Sequence, residues 1–515
     1  MQTERDNKMK KIVFISSSLC VMITFSILIS SCKDSFLDVK VQGGETVNAD
    51  PNLATKLVTG VYNSLTQGDC FGNGDVHGWA FMSVTCTISD DADKGSTASD
   101  QAVPIGDIDN FTLTSTNKFC ETIWAGHFNA IGASNTALAA LASSTTIDAA
   151  QLKEFQAEVR FIRGYLYFNM VRMFGDVPLV LRVPTDLEDA ANDPAFSTRA
   201  SSAVVYDSIV SDLQFAIDHL PIKSQAVTGH VTKGAAQAML AKVYMYRQQW
   251  PKVQELTDAV IASGQYSLVS DYATIWRQIG DNNNESIFEI QTGNFNNNNF
   301  KIDNYTVSQG PRSGGKGGWD DLGYGFNNPT PDLINAYEPN DARKAATIIF
   351  IDNTGTHKGT TLWDGRRIPS SDSVQNLYYN YKAYTSISKE TYKNPADKDR
   401  PKNVRIMRYA EVLLMNAEAS LHTGAGDPAA AVNKIRERAN LLPKASVTID
   451  DVWKERRLEF AMEHDRFWDL VRQGRAAQVM QATGKSFAAG KHELLPVPNS
   501  QILLSGGKLT QNFGY

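Results

Sequence analysis

The sequence predicts a mainly α-helical protein in which helical hairpins of the tetratricopeptide type support an irregular, loop-rich subdomain. Several segments place apolar residues at steps of three and four, as one buried helix face requires. Residues 232–263 also place small and aromatic residues at the offsets of a tetratricopeptide hairpin. Between residues 285 and 400 the helical period disappears, and glycine, asparagine and aromatic residues take its place. We therefore expect stacked helices beneath a loop-built face.

The composition is that of an ordinary globular protein. Of the 515 residues, 42% are hydrophobic and 21% are charged, which argues against global disorder. The formal net charge is −6, and removing residues 1–31, with four positive and two negative charges, makes it −8. Because an acidic protein is a poor partner for phosphate backbones, no nucleic-acid binding is expected.

The first 31 residues have the layout of a signal peptide, with basic residues ahead of an apolar run at 12–29. A transmembrane anchor is the alternative, but four serines and a threonine within the run disfavour it. The sequence ISSC at 29–32 resembles a bacterial lipobox, which predicts a lipid on Cys32 and a short polar tether at residues 32–49. The initiator is either Met1 or Met9.

The most conspicuous predicted helix lies within residues 154–184. Apolar residues recur there at helical steps, with Arg163 and Arg172 between them. Gly175 can adopt the left-handed conformation that closes a helix, and Pro178 lacks the amide hydrogen needed to continue one. The same period predicts helices at residues 51–67, 117–143 and 201–220.

Two helical hairpins complete the predicted scaffold. The first joins helices at residues 232–247 and 250–263, where Leu240, Ala241 and Tyr244 occupy tetratricopeptide offsets. The second is predicted within residues 405–439. Since such repeats cannot bury their apolar faces singly, the hairpins should stack on one another.

Two regions break the helical pattern. Residues 69–116 are rich in Gly, Asp, Ser and Thr, and loops of this length usually have a function. Residues 285–400 begin with a predicted strand at 286–291 and continue as a loop-built subdomain. The predicted organisation is therefore a signal peptide at 1–31, a tether at 32–49, a helical region at 50–284 with the 69–116 insertion, a loop-rich ligand-binding region at 285–400, and a C-terminal helical region at 401–515.

Aromatic residues in irregular sequence are the candidate binding residues. Flat apolar rings can stack on sugars, and loops can place them in a concave site. Trp79, Trp319, Tyr324 and Trp363 stand in Gly-, Asn- or Asp-rich sequence, away from any helical stripe, although each could instead fill the space beneath a loop. The remaining tryptophans lie at helical spacing and are predicted to be core residues: Trp124, Trp250, Trp276, Trp453 and Trp468.

Catalytic and metal-binding patterns are weak. Glu455, Glu459 and Glu463 share a helix face, as in a glycosidase, but neighbouring arginines favour ion pairs. The acidic run at residues 90–93 departs from a calcium loop, because Gly95 comes one place early and Ala102 replaces the closing glutamate. No metal, cofactor or catalytic residue is therefore predicted. Among the cysteines of the mature chain, Cys70, Cys86 and Cys120 allow either one disulfide or three thiols.

Motifs along essentially the whole mature chain resemble those of the SusD/RagB family, the lipid-anchored outer-membrane nutrient-binding proteins of Bacteroidetes. They are Cys32 with FLD at 36–38, EVRFIRGYLYFNMVRMFGDVPLV at 158–180, TKGAA at 232–236 leading to LAKVYMY, RYAEVLLMNAEA at 408–419, ERRLEFAMEHDRFWDLVR at 455–472, and the ending from LPVP at 495–498 to QNFGY at 511–515.

This resemblance implies about four tetratricopeptide-like units and a ligand-binding face of loops. It also implies a cell-surface protein, lipid-anchored in the outer membrane, that caps a SusC-like TonB-dependent transporter. The implied ligand is an oligosaccharide that the protein hands to the transporter. RagB-type relatives bind peptides, so peptide binding is the first alternative, and a surface glycosidase or a purely structural scaffold are the others.

Overall fold

The computed structural model describes residues 46–48, 50, 52–69, 74–292, 304–312, 323–351, 361–390 and 402–515. Met1, Met9, Cys32, Cys70 and Trp319 lie outside these ranges. The chain divides after Leu53, and the fold below is that of residues 54–515. Among the described residues, no helix is long and apolar enough to span a membrane.

Helices dominate this part of the chain. In order they are α1 (Leu53–Ser64), α2 (Trp79–Met82), α3 (Pro104–Asn110), α4 (Lys118–Ala142), α5 (Ala149–Phe174), α6 (Leu187–Asn192), α7 (Pro194–Ser197), α8 (Ser202–His219), α9 (Lys233–Tyr246), α10 (Trp250–Ala262), α11 (Asn304–Gln309), α12 (Pro331–Ala336), α13 (Ala342–Thr347), α14 (Tyr409–Thr423), α15 (Pro428–Arg438), α16 (Ile449–Phe460), α17 (Arg466–Arg472), α18 (Ala476–Ala482) and α19 (Asn499–Leu504). A π-helical turn, Ser83–Thr87, follows α2, and two 3₁₀ turns, Tyr272–Trp276 and Gln278–Gly280, follow α10.

The long helices form one continuous stack. Helix α5 packs against α4 and α8, α9 packs against α8 and α10, and α10 packs against α14, which in turn contacts α15 and α16. The predicted mainly helical, tetratricopeptide-like scaffold is thereby confirmed. The predicted helix bounds at 117–143, 201–220 and 232–263 differ from the observed ends by a residue or so.

Capping explains where the central helix α5 begins and ends. It spans 26 residues and starts five residues earlier than the sequence pattern suggests. The reason is Asp148, whose carboxylate accepts hydrogen bonds from the amides of Ala150 and Gln151. Gly175, with φ of 72°, ends the helix as predicted.

Within the described ranges, the strands form four two-stranded antiparallel sheets. In chain order they are β1 (Gly68–Asp69), β2 (Gly74–Asp75), β3 (Ala92–Gly95), β4 (Ser286–Ile290), β5 (Phe326–Pro329), β6 (Ile348–Phe350), β7 (Tyr378–Asn380) and β8 (Val404–Arg408). The pairs are β1–β2, β3–β5, β4–β8 and β6–β7. The predicted strand at 286–291 is β4.

Two predictions about local structure are corrected. The second hairpin was expected to begin as a helix near Arg405, but residues 404–408 form β8, because they pair with β4 in the interior. The 69–116 region was expected to be an irregular excursion, but it contains α2, the π-helical turn, β3 and α3. Side chains such as Phe81 and Ile105 there are buried in the main core, so much of this region is core rather than surface loop.

Buried ion pairs connect the loop-rich region to the C-terminal helices. Glu459 on α16 pairs with Arg343, Arg408 and Arg438, and Arg343 also pairs with Glu455. The prediction that these glutamates form ion pairs is therefore correct, and Glu463 likewise pairs with Lys382 and Arg408. The predicted shared helix face is wrong for Glu463, because α16 ends at Phe460. The partners of these glutamates, however, come from other elements, because the arginines beside them on α16 point to other carboxylates: Arg456 binds Glu411 and Asp469, and Arg457 binds Asp90 and Asp91.

The predicted core tryptophans lie inside the protein. Trp124, Trp276 and Trp468 are buried, and Trp250 and Trp453 are half-buried. The three buried rings therefore stabilise the fold and are covered by their neighbours, whereas Trp250 and Trp453 are only partly covered.

Candidate functional site

A small sheet joins the two irregular regions that the sequence singled out. Strand β3 of the 69–116 region pairs with β5 of the loop-rich region, with Ala92 opposite Pro329 and Gly95 opposite Phe326. At the end of β3 the ammonium of Lys94 donates to the carbonyls of Gly95, Thr97 and Asp100, at 3.1, 2.7 and 2.9 Å. The β3–β5 pairing therefore joins the two regions directly.

Tyr324 lies beside this sheet. Its amide donates to the carbonyl of Val307 at 2.8 Å, and the amide of Gly325 donates to the carbonyl of Gly310 at 2.9 Å. The Tyr324 side chain is half-buried, so part of the ring faces solvent. Its ring centroid lies 5.6 Å from that of Trp79, so the structure brings two of the four predicted aromatic residues together.

Trp79 does not occupy the loop position expected for it. It opens helix α2, is 6% exposed, and packs against Phe119 and Phe326 as well as Tyr324. The ring is covered because α2 is drawn into the core by its apolar neighbours. Trp79 therefore packs against the ring of Tyr324. A stacking role for Trp79 itself stays a prediction.

Trp363 is the only exposed tryptophan of the described residues, with 40% of its surface accessible. It lies in a tight turn closed by a bridge between Thr361 and Arg367. Its backbone amide donates to the Tyr381 hydroxyl at 2.9 Å, which ties the turn to a small aromatic core containing Tyr379, Tyr381 and Tyr384. The residue is therefore partly accessible to solvent, and its role as a stacking residue stays a prediction. No contact between Trp363 and Tyr324 is present among the described residues.

Arg277 lies between two aromatic rings at this turn. Its guanidinium carbon is 5.0 Å from the Trp363 ring centroid and 4.6 Å from that of Tyr381. The residue is only 4% exposed, and burial lowers the pKa of its guanidinium from the ordinary value. Within the described part of the chain it forms no ion pair, and its Nη1 has no hydrogen-bond partner. The carboxylates of Glu390 and Asp364 act on it at longer range, since their charges raise the pKa of the guanidinium against the effect of burial.

The carboxylates of Asp364 and Glu390, whose charges act on Arg277, also accept hydrogen bonds from other groups. Asp364 accepts from the Tyr384 hydroxyl at 2.7 Å and from the Arg366 amide at 3.0 Å. Burial alone would raise the pKa of Asp364, but hydrogen bonds from Ser386 and Tyr384 lower it below its usual value. Glu390 accepts from the amides of Gln278 and Ser386, at 2.8 and 2.6 Å. These hydrogen bonds come from neutral donors, so they orient the two carboxylates without cancelling their charge interaction with Arg277.

The remaining chemical motifs have structural partners. Asp90 pairs with Arg466 and Asp91 with Arg457, and no cluster of three potential metal ligands occurs among the described residues. Although burial by itself raises the pKa of Glu459, Arg438, Arg408 and Arg343 hold it well below the usual range. A carboxylate that is fully buried and so paired cannot reach a glycosidic bond.

Two of the three cysteines can be placed. Cys86 and Cys120 are both buried free thiols, and burial raises the pKa of each to about 12. Neither is therefore linked to the other.

Arg277 is the residue of this site that sequence reasoning missed. It follows the core residue Trp276, and no motif connects it with a turn more than eighty residues later. Only the fold brings Arg277, Trp363 and Tyr381 together. A lone arginine after a buried aromatic is too common a pattern to have indicated it.

A stack of helical hairpins that carries an irregular, loop-built region defines a helical-repeat protein. Comparison with known proteins specifies the class. Residues 284–515 match the family model described as "SusD family", and residues 36–245 match the one described as "Starch-binding associating with outer membrane". The chain belongs to the SusD/RagB family.

Similar proteins agree with this assignment. A "SusD-like protein" from Bacteroides ovatus is 25% identical over 494 residues, covering 89% of this chain and 83% of the relative. The "Starch-binding protein SusD" of Bacteroides thetaiotaomicron is 25% identical over 433 residues, covering 72% and 74%. A solved "Laminarin binding SusD-like protein" superposes with a TM-score of 0.74 at 28% identity, covering 90% of this chain and 99% of that one.

Proposed function

We propose that this protein is a cell-surface glycan-binding lipoprotein that captures oligosaccharides and hands them to a SusC-like TonB-dependent transporter. The observation that carries the proposal is the exposed ring of Trp363, held on the loop-built face of a SusD/RagB scaffold. Sugar rings present apolar faces that stack on such a side chain. In this proposal the protein binds its ligand and does not catalyse a reaction.

The relatives support a glycan as the ligand class. A structural neighbour at 28% identity is described as laminarin-binding, and a curated relative is described as starch-binding. Tyr324, which is partly exposed beside the β3–β5 sheet, is a further proposed stacking residue. Trp319 is proposed for the same role from its Gly-rich sequence. Trp79 is proposed to support the Tyr324 ring.

Affinity electrophoresis and calorimetry against a panel of polysaccharides test the ligand class. Trp363→Ala should weaken glycan binding roughly fivefold or more, because an aromatic contact contributes on the order of 1 kcal/mol. Phe513→Ala is the matched control, since Phe513 is 83% exposed and lies outside the proposed site. Binding of peptides by the wild type, with no binding to any polysaccharide, would replace the glycan by a RagB-type peptide ligand.

The location and the partner are a second part of the proposal. The family model "Starch-binding associating with outer membrane" supports an outer-membrane location. Lipid attachment at Cys32 is tested by metabolic labelling with a fatty acid and by cell fractionation of Cys32→Ala, which should lose both the label and the membrane association. The transporter is tested by co-purification of the lipidated protein from outer membranes. Recovery of unmodified protein in the soluble fraction of wild-type cells would contradict the anchor.

A further inference from the structure

A polar groove opens between the loop that joins α8 to α9 and the segment that contains strand β4. Its volume is about 100 Å³. Since roughly 10–15 Å³ of such space holds one water molecule, the groove can hold several waters or a single sugar residue. The side chains around it include Lys223, Thr228, His230, Tyr266, Asn282 and Gln291. Among the described residues that line this α8–α9 groove, none belongs to the 361–367 turn, and Tyr324 does not contribute either.

The walls of the α8–α9 groove are fixed by hydrogen bonds and close contacts. His230 binds the carboxylate of Glu158 on α5 through Nδ1, at 2.7 Å. The side-chain amides of Asn282 and Gln291 donate to each other, at 2.8 and 2.9 Å. Gly229 lies so close to Gln291 that a Cβ atom there would be 2.9 Å from Cγ of Gln291. The groove is therefore formed before a ligand enters, which lowers the entropic cost of binding.

Three polar side chains of the groove have hydrogen-bonding groups to spare. Lys223 donates from Nζ to two backbone carbonyls, at 2.9 and 2.8 Å, which uses two of its three N–H groups. Burial lowers the pKa of this ammonium to about 8 although the charge of Glu289 opposes the shift, so it still donates at neutral pH. Within the described part of the chain, the Thr228 hydroxyl and Nε2 of His230 have no hydrogen-bond partner, and both residues reach solvent.

Apolar surface stands beside these polar groups. Nζ of Lys223 is 4.7 Å from the ring centroid of Tyr266, and the Tyr266 hydroxyl shares a hydrogen bond of 2.8 Å with Thr232. The buried ring of Phe288 also lines the groove. A sugar residue has the same mixed character, since its hydroxyls form hydrogen bonds while its C–H groups pack on apolar surface.

We propose that the α8–α9 groove binds one sugar residue of the glycan, as a second binding site besides the aromatic residues Trp363 and Tyr324. Lys223 and Thr228 donate hydrogen bonds to its hydroxyls. No charge on the ligand is required, because Glu289 already acts on the charge of Lys223. The inference rests on the proposed glycan-binding function and adds a site to it.

Hydrogen–deuterium exchange and calorimetry with two probes, laminarihexaose and maltohexaose, test this site. At least one probe should bind the wild type and slow amide exchange in residues 222–231, which form the loop side of the groove. Binding of a probe without any protection of these residues would show that the groove is not a site.

Two variants assign the effect to the groove. Thr228→Leu removes an exposed hydroxyl and fills part of the groove, and should weaken the bound probe roughly fivefold and abolish the protection of residues 222–231. Ser224→Leu is the matched control, since Ser224 is exposed on the same loop but does not line the groove. Lys223→Met should also weaken the probe roughly fivefold or more, and Thr228→Leu keeps the test decisive if Lys223→Met does not fold.

The outcomes distinguish this inference from the proposed function. If Thr228→Leu binds as the wild type does while Trp363→Ala is impaired, the groove is not a site and glycan binding stands. If Trp363→Ala binds normally while Thr228→Leu loses both affinity and protection, the groove is the site and Trp363 is not a stacking residue. If neither probe binds, this inference is wrong, and if no polysaccharide binds either, both proposals are wrong.

Discussion

Arg408 and Glu459 form an ion pair inside the core, with 2.9 Å between Nη1 and Oε1 and side chains that are 2% and 0% exposed. Arg408 ends strand β8, and Glu459 lies on helix α16, so the pair joins the sheet of the loop-rich region to the C-terminal helices. Arg438 and Glu285 extend the cluster through a contact of 2.7 Å. Positive and negative groups alternate, so each buried charge has an opposite neighbour.

Neutralising one member of this cluster should destabilise the protein strongly. We expect Glu459→Gln to lower the free energy of unfolding by about 3–5 kcal/mol, because it leaves Arg343, Arg408 and Arg438 short of a counter-ion. Urea unfolding followed by circular dichroism measures the change. The exposed Glu437→Gln serves as control and should stay within about 0.5 kcal/mol of the wild type. Hydrolysis of labelled glycans by the wild type would instead favour a glycosidase.

Two glycines of helix α4 should respond in opposite directions to alanine. A methyl group at Gly126 would lie 2.4 Å from the backbone oxygen of Asp75, which cannot move without disturbing β2. At Gly132, on the same helix and exposed, nothing lies within 4 Å. Gly126→Ala should therefore destabilise the protein by about 1–3 kcal/mol, and Gly132→Ala should stabilise it by about 0.5–1 kcal/mol. Equal effects in thermal unfolding would contradict the close approach of α4 to β2.

Acid should destabilise the fold through its buried histidines. Burial lowers the pKa of His77 to about 3, and those of His127 and His464 to about 4. These rings stay neutral in the folded protein, whereas in the unfolded chain they bind protons below about pH 6.5. Their contribution to the free energy of unfolding is complete above about pH 6.5 and is lost as the pH falls towards 4. For His77 the loss between about pH 7 and pH 5 is on the order of 2 kcal/mol.

His230 should have the opposite effect. Its hydrogen bond to Glu158, at 2.7 Å, raises the pKa of the imidazole, so its stabilisation is present below about pH 6.5 and is lost as the pH rises through the folded pKa. Unfolding free energies measured from about pH 5 to pH 8 should rise less steeply in His77→Gln and more steeply in His230→Gln than in the wild type. Identical slopes in both variants would show that these side chains do not carry the pH dependence.

The helical scaffold was predictable because its signal is local. Apolar residues at steps of three and four determine where helices such as α8 and α9 lie. Capping residues such as Gly175 determine where a helix such as α5 ends. Strand β8 was missed because its partner β4 lies more than a hundred residues earlier in the chain. Short alternating sequences carry too little local information to separate a strand from the first turn of a helix.

The candidate site was predictable only in part, because exposure depends on the whole fold. Trp79 and Trp363 both stand in polar sequence, yet α2 draws Trp79 into the core while the 361–367 turn leaves Trp363 at the surface. Arg277 had no sequence signal, since its place between Trp363 and Tyr381 is set by long-range packing. Trp319 lies outside the described residues, so its role stays a prediction.

The arginines of helix α5 provide a last test of how burial decides the strength of an ion pair. Arg163 binds Asp212 of α8 with two hydrogen bonds, at 2.8 and 2.9 Å, and the side chains are 8% and 4% exposed. On the same helix α8, Asp207 pairs with Arg247 at a similar distance of 2.8 Å, but Asp207 is 69% exposed. Water screens the second pair and not the first.

Asp212→Asn should therefore lower the free energy of unfolding by about 3 kcal/mol or more, because it leaves the Arg163 charge buried at the contact between α5 and α8. Asp207→Asn, the same chemical change on the same helix, should cost less than about 1 kcal/mol. Urea unfolding of the two variants at low and at high salt measures both effects, and salt should reduce only the cost of the exposed substitution. Equal costs would show that the α5–α8 contact depends on apolar packing alone and that the buried arginine is neutralised by other groups.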